Sequence, residues 1–270
     1  MSTRRILTLL TDFGLSDAYV GMMKGVIAAI APEVHIIDLT HQIPPQNIAA
    51  ARFNLMNAYP YFPEGTVHVA VVDPGVGGLR RAIALQSPNG FFVGPDNGLF
   101  DGVLSQQRND PSVQAVDLNN PAYWRNAQPS ATFHGRDIFA PVGAHLATGG
   151  SLHELGTTIS VDSLVGFDIP DAQKTTTQIT GYVQHIDHFG NVITNISGDE
   201  VRSLHWSVEV KHTQVPSRHT YGESAIGEML ALIGSHGWIE IAVNGGNAQA
   251  RLQIGVRDAV TVYRVEHTVR

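Results

Sequence analysis

The chain has 270 residues, 43% of them hydrophobic and 15% charged, which is enough to bury a sizeable core and too apolar for a disordered chain. Its formal net charge is −7 and no Lys/Arg cluster occurs, which argues against nucleic acid or an anionic membrane surface as a partner. With no cysteine, disulfides, thiolate metal sites and cysteine catalysis are excluded.

Residues 5–11 form a short apolar run that ends in Thr11-Asp12-Phe13-Gly14. The run is too brief for a secretion signal or a membrane span, so it predicts a first strand, and a cytoplasmic protein is expected. Ser16 is the predicted N-cap of a helix that places Val20, Met23, Ile27 and Ile30 on one face before Pro32. A second strand is predicted over residues 34–39 and a second helix over 46–59. The third strand, beginning near His68, is a continuous β-branched run that stops at Asp73. Strand, helix, strand, helix, strand predicts an α/β unit with a parallel sheet and its chemistry at the carboxyl ends of the strands.

After Arg81 the pattern changes. Residues 82–85 and 91–93 flank Ser87-Pro88-Asn89-Gly90 and predict a hairpin. A turn at 94–98 leads into a short helix, another strand covers 113–118, and a helical run follows Asp137 as far as Gly149-Gly150. Residues 167–177 are polar and read as a connection. Beyond them, strands are predicted at 179–186, 192–196, 206–210, 239–243 and 260–265, with one helix near 225–233; many short strands point to a small β-barrel or sandwich. The expected domains are an N-terminal α/β unit, 1–166, and a smaller C-terminal β-barrel, 176–270.

The glycines at 75, 77 and 78 do not make a dinucleotide site, because Arg80 leads into a strand and not into a helix whose N-terminus could face a pyrophosphate. No zinc-helix spacing occurs among the 13 histidines. Asp12, Asp73 and His134 could converge on a divalent ion, but no metal is expected. Taken singly, Asp12, Asp17, Asp187, Phe189, Asn191, Ser235 and Gly245 also read as turn residues.

Their joint occurrence says more. TDFG (11–14), THQIPP (40–45), FPEGTVHVAVVDPGVGGLRR (62–81), GPDNG (94–98), FHGRD (133–137), IDHFGN (186–191) and EIAVNGGNA (240–248) follow one another in order. This series resembles the adenosine-forming S-adenosyl-L-methionine (SAM) hydrolases, or SAM hydroxide adenosyltransferases, relatives of the SAM-dependent fluorinase and chlorinase. The resemblance runs from Leu7 to about Val262. It implies an α/β domain followed by a β-barrel, and hydrolysis of SAM to adenosine and L-methionine without a cofactor. It also implies a homotrimer in which SAM lies between one subunit's N-terminal domain and its neighbour's C-terminal domain.

By the same resemblance, Asp73, Arg80 and His134 are the catalytic set, with Arg80 favoured over Arg81 by its spacing from the Asp. Asp12 would hold the ribose hydroxyls. Asp17, Asp187 and Ser235 would hold the methionine amine and carboxylate, Asn191 and the backbone near Gly245 the adenine edge. Phe189 and Tyr221 would wall the pocket, and Gln46 stands where the fluorinase has a pocket tryptophan. The halogenases carry Tyr at the position of Asp73 and Ser at that of Gly135, and an anionic carboxylate beside the reacting carbon would repel halide. Their carboxylate-binding Arg corresponds to His236. A SAM-dependent halogenase and a non-catalytic SAM or adenosine binder are the alternative readings.

Overall fold

A computed structural model describes residues 5–107, 110–202 and 205–265. Residues 1–4, part of the segment weighed as a secretion signal, lie outside the described residues. The chain divides after Phe167 into two compact units.

The first unit is built on β1 (Ile6–Thr11), β2 (His35–Thr40), β3 (Thr66–Val71), β4 (Ala82–Ser87), β5 (Gly90–Pro95), β6 (Gln114–Asp117) and β7 (Thr157–Ile159). They form one sheet in the order β2-β1-β3-β5-β4-β6-β7. β1 runs parallel to β2 and β3, and β3 parallel to β5; the hairpin turns β4 the other way, so β4, β6 and β7 pair antiparallel. The sheet is therefore mixed, parallel on the side where Asp12 and Asp73 leave their strands. β1 and β3 are buried on both faces, which is why they read as unbroken apolar runs.

Helix α1 (Tyr19–Ile30) buries Val20, Met23 and Ile27 as its periodicity predicts. It begins later than expected. Ser16 is not its cap; Ala18 precedes the first turn, and no side chain caps it. A hydrogen bond from Gly14 N–H to the His41 carbonyl (2.8 Å) and the Phe13–Tyr19 ring contact (5.9 Å) keep the intervening residues in an open loop. Helix α2 (Ile48–Ala58) is capped by Asn47, whose side chain accepts from Ala50 N–H at 2.9 Å. After α3 (Asp101–Gln106), a π-helical turn, Gly135–Phe139, runs directly into α4 (Ala140–Ala147). A Cβ on Gly143 would lie 2.5 Å from Val69 Cγ2 and 3.3 Å from Leu7 Cδ1, so the missing side chain lets α4 lie against β1 and β3.

The second unit contains β8 (Gln173–Lys174), β9 (Gln178–Ile186), β10 (Val192–Ser197), β11 (His205–Val210), β12 (Thr213–Pro216), β13 (Met229–Ile233), β14 (Trp238–Val243), α5 (Ala248–Leu252) and β15 (Ala259–Val265). The order is β12-β11-β15-β9-β10-β14-β13, with β8 added to β9 and every strand pair antiparallel. A bridge between Ser217 and Ala231 joins the two ends, making the sheet a nearly closed barrel around Val183, Val208, Ile241 and Val262.

The helix expected near 225–233 is a strand instead. Met229 to Ile233 pair residue by residue with Val243 to Ile239, and this pairing overrides the helical preference of Glu228, Met229 and Leu230. Among the unit's described residues the α-helix is α5, capped by Asn247 through Ala250 N–H at 2.7 Å. No helix among the described residues is long and apolar enough to cross a membrane.

Candidate active site

β3 delivers Val72 and Asp73 to the carboxyl edge of the parallel strands. Asn97 donates its side-chain amide to the Val72 carbonyl at 2.9 Å, fixing where the strand stops. Two tight turns then reverse the chain, Val76 N–H donating to the Asp73 carbonyl (3.3 Å) and Gly78 N–H to the Gly75 carbonyl (3.0 Å). Gly77 has φ +74°, and a Cβ there would sit 2.2 Å from the Ala131 carbonyl oxygen, so this turn requires glycine.

The reversal returns Arg80 to Asp73. Arg80 Nε donates to Asp73 Oδ1 (2.9 Å) and Oδ2 (3.1 Å), and Nη2 donates to Oδ2 as well. Both side chains are largely shielded from solvent. The same Nη2 donates to His134 Nδ1 at 2.8 Å, and the guanidinium lies over the Phe139 ring at 5.5 Å. His134 itself heads the π-helical turn, a local widening of helix often found where a side chain must be aimed.

Arginine has no lone pair to offer, so His134 Nδ1 must be the acceptor in this contact. The ring's proton therefore sits on Nε2. Burial lowers the pKa of His134, and the adjacent Arg80 charge lowers it further, against a weaker upward pull from Asp73 and Asp137. The result is a neutral imidazole with an N–H pointing away from Arg80. Arg81 goes elsewhere: Nε donates to Asp96 Oδ2 at 2.8 Å and Nη1 to Ser163 Oγ at 3.0 Å.

Asp12 leaves β1 one strand away and accepts from Gln46 N–H at 2.7 Å. Gln46 meets it with its backbone, at φ +64°, while its side chain is exposed. Asp17 is exposed in the loop before α1. Asp12, Asp73 and His134 do not make a metal cluster: among the described residues no three candidate ligands converge.

In the second unit, Asp187, Phe189 and Asn191 share one hairpin turn. Asp187 Oδ1 accepts from Phe189 N–H (2.9 Å) and Asn191 N–H (2.8 Å), and Oδ2 from the Asn191 amide (3.0 Å). Phe189 stands out into solvent. Gln249 N–H donates to the Gly190 carbonyl at 2.9 Å, so this turn lies beside the Asn244–Asn247 turn that contains Gly245, φ +68°. Ser235 is exposed in the turn between β13 and β14. Tyr221 donates its hydroxyl to Glu240 Oε1, and burial, then that carboxylate, raises the phenol's pKa. Glu240 Oε2 also lies 3.3 Å from His236 Nε2, while His236 Nδ1 accepts from Trp238 N–H at 3.1 Å. His236 is thus engaged at both ring nitrogens.

Sequence reasoning missed Asn97, Phe139 and Glu240. Glu240 had a readable signal, a carboxylate flanked by Ile239 and Ile241 in a strand otherwise apolar. Asn97 had none beyond its place in the GPDNG motif, and Phe139 had none.

Family models of the SAM hydroxide adenosyltransferase N-terminal and C-terminal domains match residues 7–156 and 181–261. An (R)-S-adenosyl-L-methionine hydrolase from Salinispora arenicola is 41% identical over 263 residues, covering 97% of this chain and 99% of that protein. A fluorinase from Nocardia brasiliensis is more distant, at 27% identity over 279 residues, 90% of this chain and 92% of the fluorinase. Among solved structures, an uncharacterized conserved protein from Thermotoga maritima superposes with a TM-score of 0.86 at 36% identity, covering 96% of this chain and all (100%) of that one.

Proposed function

The chain belongs to the SAM hydroxide adenosyltransferase family, and from that premise we propose that it hydrolyses S-adenosyl-L-methionine to adenosine and L-methionine. A water molecule attacks C5′ in line with the departing sulfur. The C5′–O bond forms, the C5′–S bond breaks with its electron pair going to sulfur, and the water gives up one proton. The sulfonium leaves as a neutral thioether, so no acid is needed on that side. Water is the weak partner, and holding it in attack geometry can be worth roughly 7–11 kcal/mol in favourable intramolecular models.

The observation that carries this reading is the Arg80 bridge, which donates to Asp73 and to His134 Nδ1 at once. It leaves His134 with a proton on Nε2, so in this arrangement His134 orients the water and Asp73 receives the proton. Arg80 fixes both and favours the incipient hydroxide.

In the same reading, Asp12 holds the ribose diol. Asp17, Asp187 and Ser235 take the methionine amine and carboxylate, Asn191 and the Gly245 backbone the adenine edge, and Phe189 and Tyr221 its faces. The acidic set suits a ligand that carries a sulfonium and an ammonium. Gln46 contributes at Asp12. The second unit's residues come from a neighbouring copy in a homotrimer, the protein acts in the cytoplasm, and the chemistry calls for no cofactor.

Incubation with SAM in ¹⁸O-labelled water tests the reaction directly. Equimolar adenosine and methionine, with the label in the 5′-hydroxyl, is the expected result. Intact SAM, or a 5′-halogenated deoxyadenosine when halide is added, would overturn it in favour of a binder or a halogenase.

A further inference from the structure

The THQIPP stretch supplies one buried histidine for which the reaction above has no use. His41 is 3% exposed and Thr11 is 0% exposed, yet the two meet, His41 Nδ1 lying 2.8 Å from Thr11 Oγ1. His41 Nε2 faces Asp38 Oδ1 at 3.1 Å, and Asp38 Oδ2 accepts from Lys24 Nζ at 2.6 Å. A continuous path of polar contacts thus runs from a surface lysine to the residue before Asp12.

The register explains how His41 reaches that place. β2 pairs evenly with β1 up to Leu9 opposite Asp38; the next pair is Leu10 opposite Thr40, so Leu39 is an extra residue. Such a bulge turns the strand and re-aims the side chains just beyond it, and His41 is the first residue past the end of β2. Its carbonyl accepts from Gly14 N–H at 2.8 Å, and Thr11 Oγ1 accepts from Phe13 N–H at 3.2 Å. Five residues later, the same β2–α2 loop adopts φ +64° at Gln46 and donates its N–H to Asp12 Oδ2 at 2.7 Å. A left-handed conformation at a residue other than glycine costs free energy and persists only where the surroundings impose it.

We infer that His41 is a positioning residue: with Asp38 and Thr11 it clamps the Thr11-Asp12-Phe13-Gly14 loop so that the Asp12 carboxylate faces a ribose diol. A histidine that merely filled the core would need neither the bulge nor contacts on both sides of Asp12. The inference rests on the proposed role of Asp12 and adds that discrimination for a 2′-hydroxyl depends on a residue that never touches the ligand. A site built to hydrogen-bond a hydroxyl rejects the analogue that lacks it, because its own polar group is left unpaired. Loosening the clamp should weaken that rejection.

The test compares the affinities of adenosine and 2′-deoxyadenosine by calorimetry for the wild type, His41→Leu, His41→Asn and Asp12→Ala. The preference for adenosine should fall about ten-fold in His41→Leu, the equivalent of one well-placed hydrogen bond. It should be partly restored in His41→Asn, whose amide can still reach Thr11. Adding His41→Leu to Asp12→Ala should lower it no further. Thr11→Val removes the same contact without changing side-chain shape and serves if His41→Leu does not fold. An unchanged preference in a folded His41→Leu or Thr11→Val protein, or a loss additive with Asp12→Ala, overturns the inference. A wild type that binds adenosine but leaves SAM intact overturns only the hydrolase reading, since the affinity ratio still reports on the clamp.

Discussion

At Arg80, one cation engages two neighbours at once. Its fork holds the carboxylate of Asp73 and directs a further N–H to His134, and only a planar guanidinium can serve both in fixed directions. Arg80→Lys should therefore keep SAM affinity within a few-fold while lowering kcat by about 10²-fold, since the charge survives and the geometry does not. Asp73→Asn should lose at least as much in kcat; steady-state kinetics on both variants would decide it, and near-native turnover in either would remove the water site. His68 makes a separate claim about stability. It is fully buried, stacked on Phe92 at 5.1 Å and 2.8 Å from Thr8 Oγ1, and burial depresses its pKa to about 4. The unfolded chain takes up that proton near the ordinary value of about 6.5. The folded state thus binds fewer protons, and the contribution is fully present above pH 6.5 and is lost as pH falls toward 4, up to about 3 kcal/mol. Urea unfolding between pH 7 and 4.5 should show that decline, and His68→Phe should flatten it; identical slopes would refute the assignment. Of the site residues, Asp73 was legible from its place at the end of a buried strand. The choice of Arg80 over Arg81 came from the family spacing; Arg80 bonds Asp73 and Arg81 bonds Asp96, while nothing local in the sequence ties His134 to a residue 54 positions away.

The elements that present these side chains are irregular where they do so. The loop after β3 depends on Gly77, the bulge in β2 re-aims His41, and the π-helical turn carries His134. Gly77→Ala places a methyl 2.2 Å from a backbone oxygen at positive φ, so it should displace the loop and with it Arg80. We expect a destabilisation of at least 1–3 kcal/mol and a fall in kcat of more than ten-fold. Gly65→Ala is the control, with φ +77° and nothing within 4 Å. It should cost about 1 kcal/mol and leave turnover unchanged. Thermal melts and kinetics on the pair separate conformational cost from loss of the site; equal turnover in both would show that the Gly77 turn does not aim Arg80. Local pattern was enough to locate the regular strands and helices of the first unit except β7, a three-residue edge strand. It failed at residues 229–233, where five consecutive apolar residues fit a buried helix or a buried strand equally well and only the partner β14 decides. It also failed at Ser16, because the cap signal was sound but the Gly14–His41 contact holds the chain elsewhere.

Across the whole molecule, the alternation of strands and helices before Phe167 and the predominance of strands after it made the fold class readable. The closure of the second sheet was not, because the Ser217–Ala231 bridge joins strands through a contact with no periodic trace. Each unit, taken by itself, leaves large apolar side chains in solvent beside its candidate residues. Leu79, next to Arg80, and Tyr19 are exposed in the first; Phe189 and Ile226 are exposed in the second. Apolar groups exposed beside these residues would be covered at a subunit boundary, such as the proposed trimer supplies. The arrangement has an arithmetic consequence. If Asp73 acts on a substrate held by Asp187 of a neighbouring copy, then Asp73→Asn and Asp187→Ala proteins are each inactive alone but complement one another. In a cyclic trimer, an active site needs one chain with an intact first unit beside one with an intact second unit, so every mixed trimer has one intact site of three and the purified mixed species should recover about a third of wild-type activity. Co-expressing the two variants with distinct tags, purifying the mixed species and assaying adenosine release would measure this. No recovery in a mixed oligomer would mean that both residues of a site come from one chain, and a protein that sediments as a monomer while active would remove the boundary altogether.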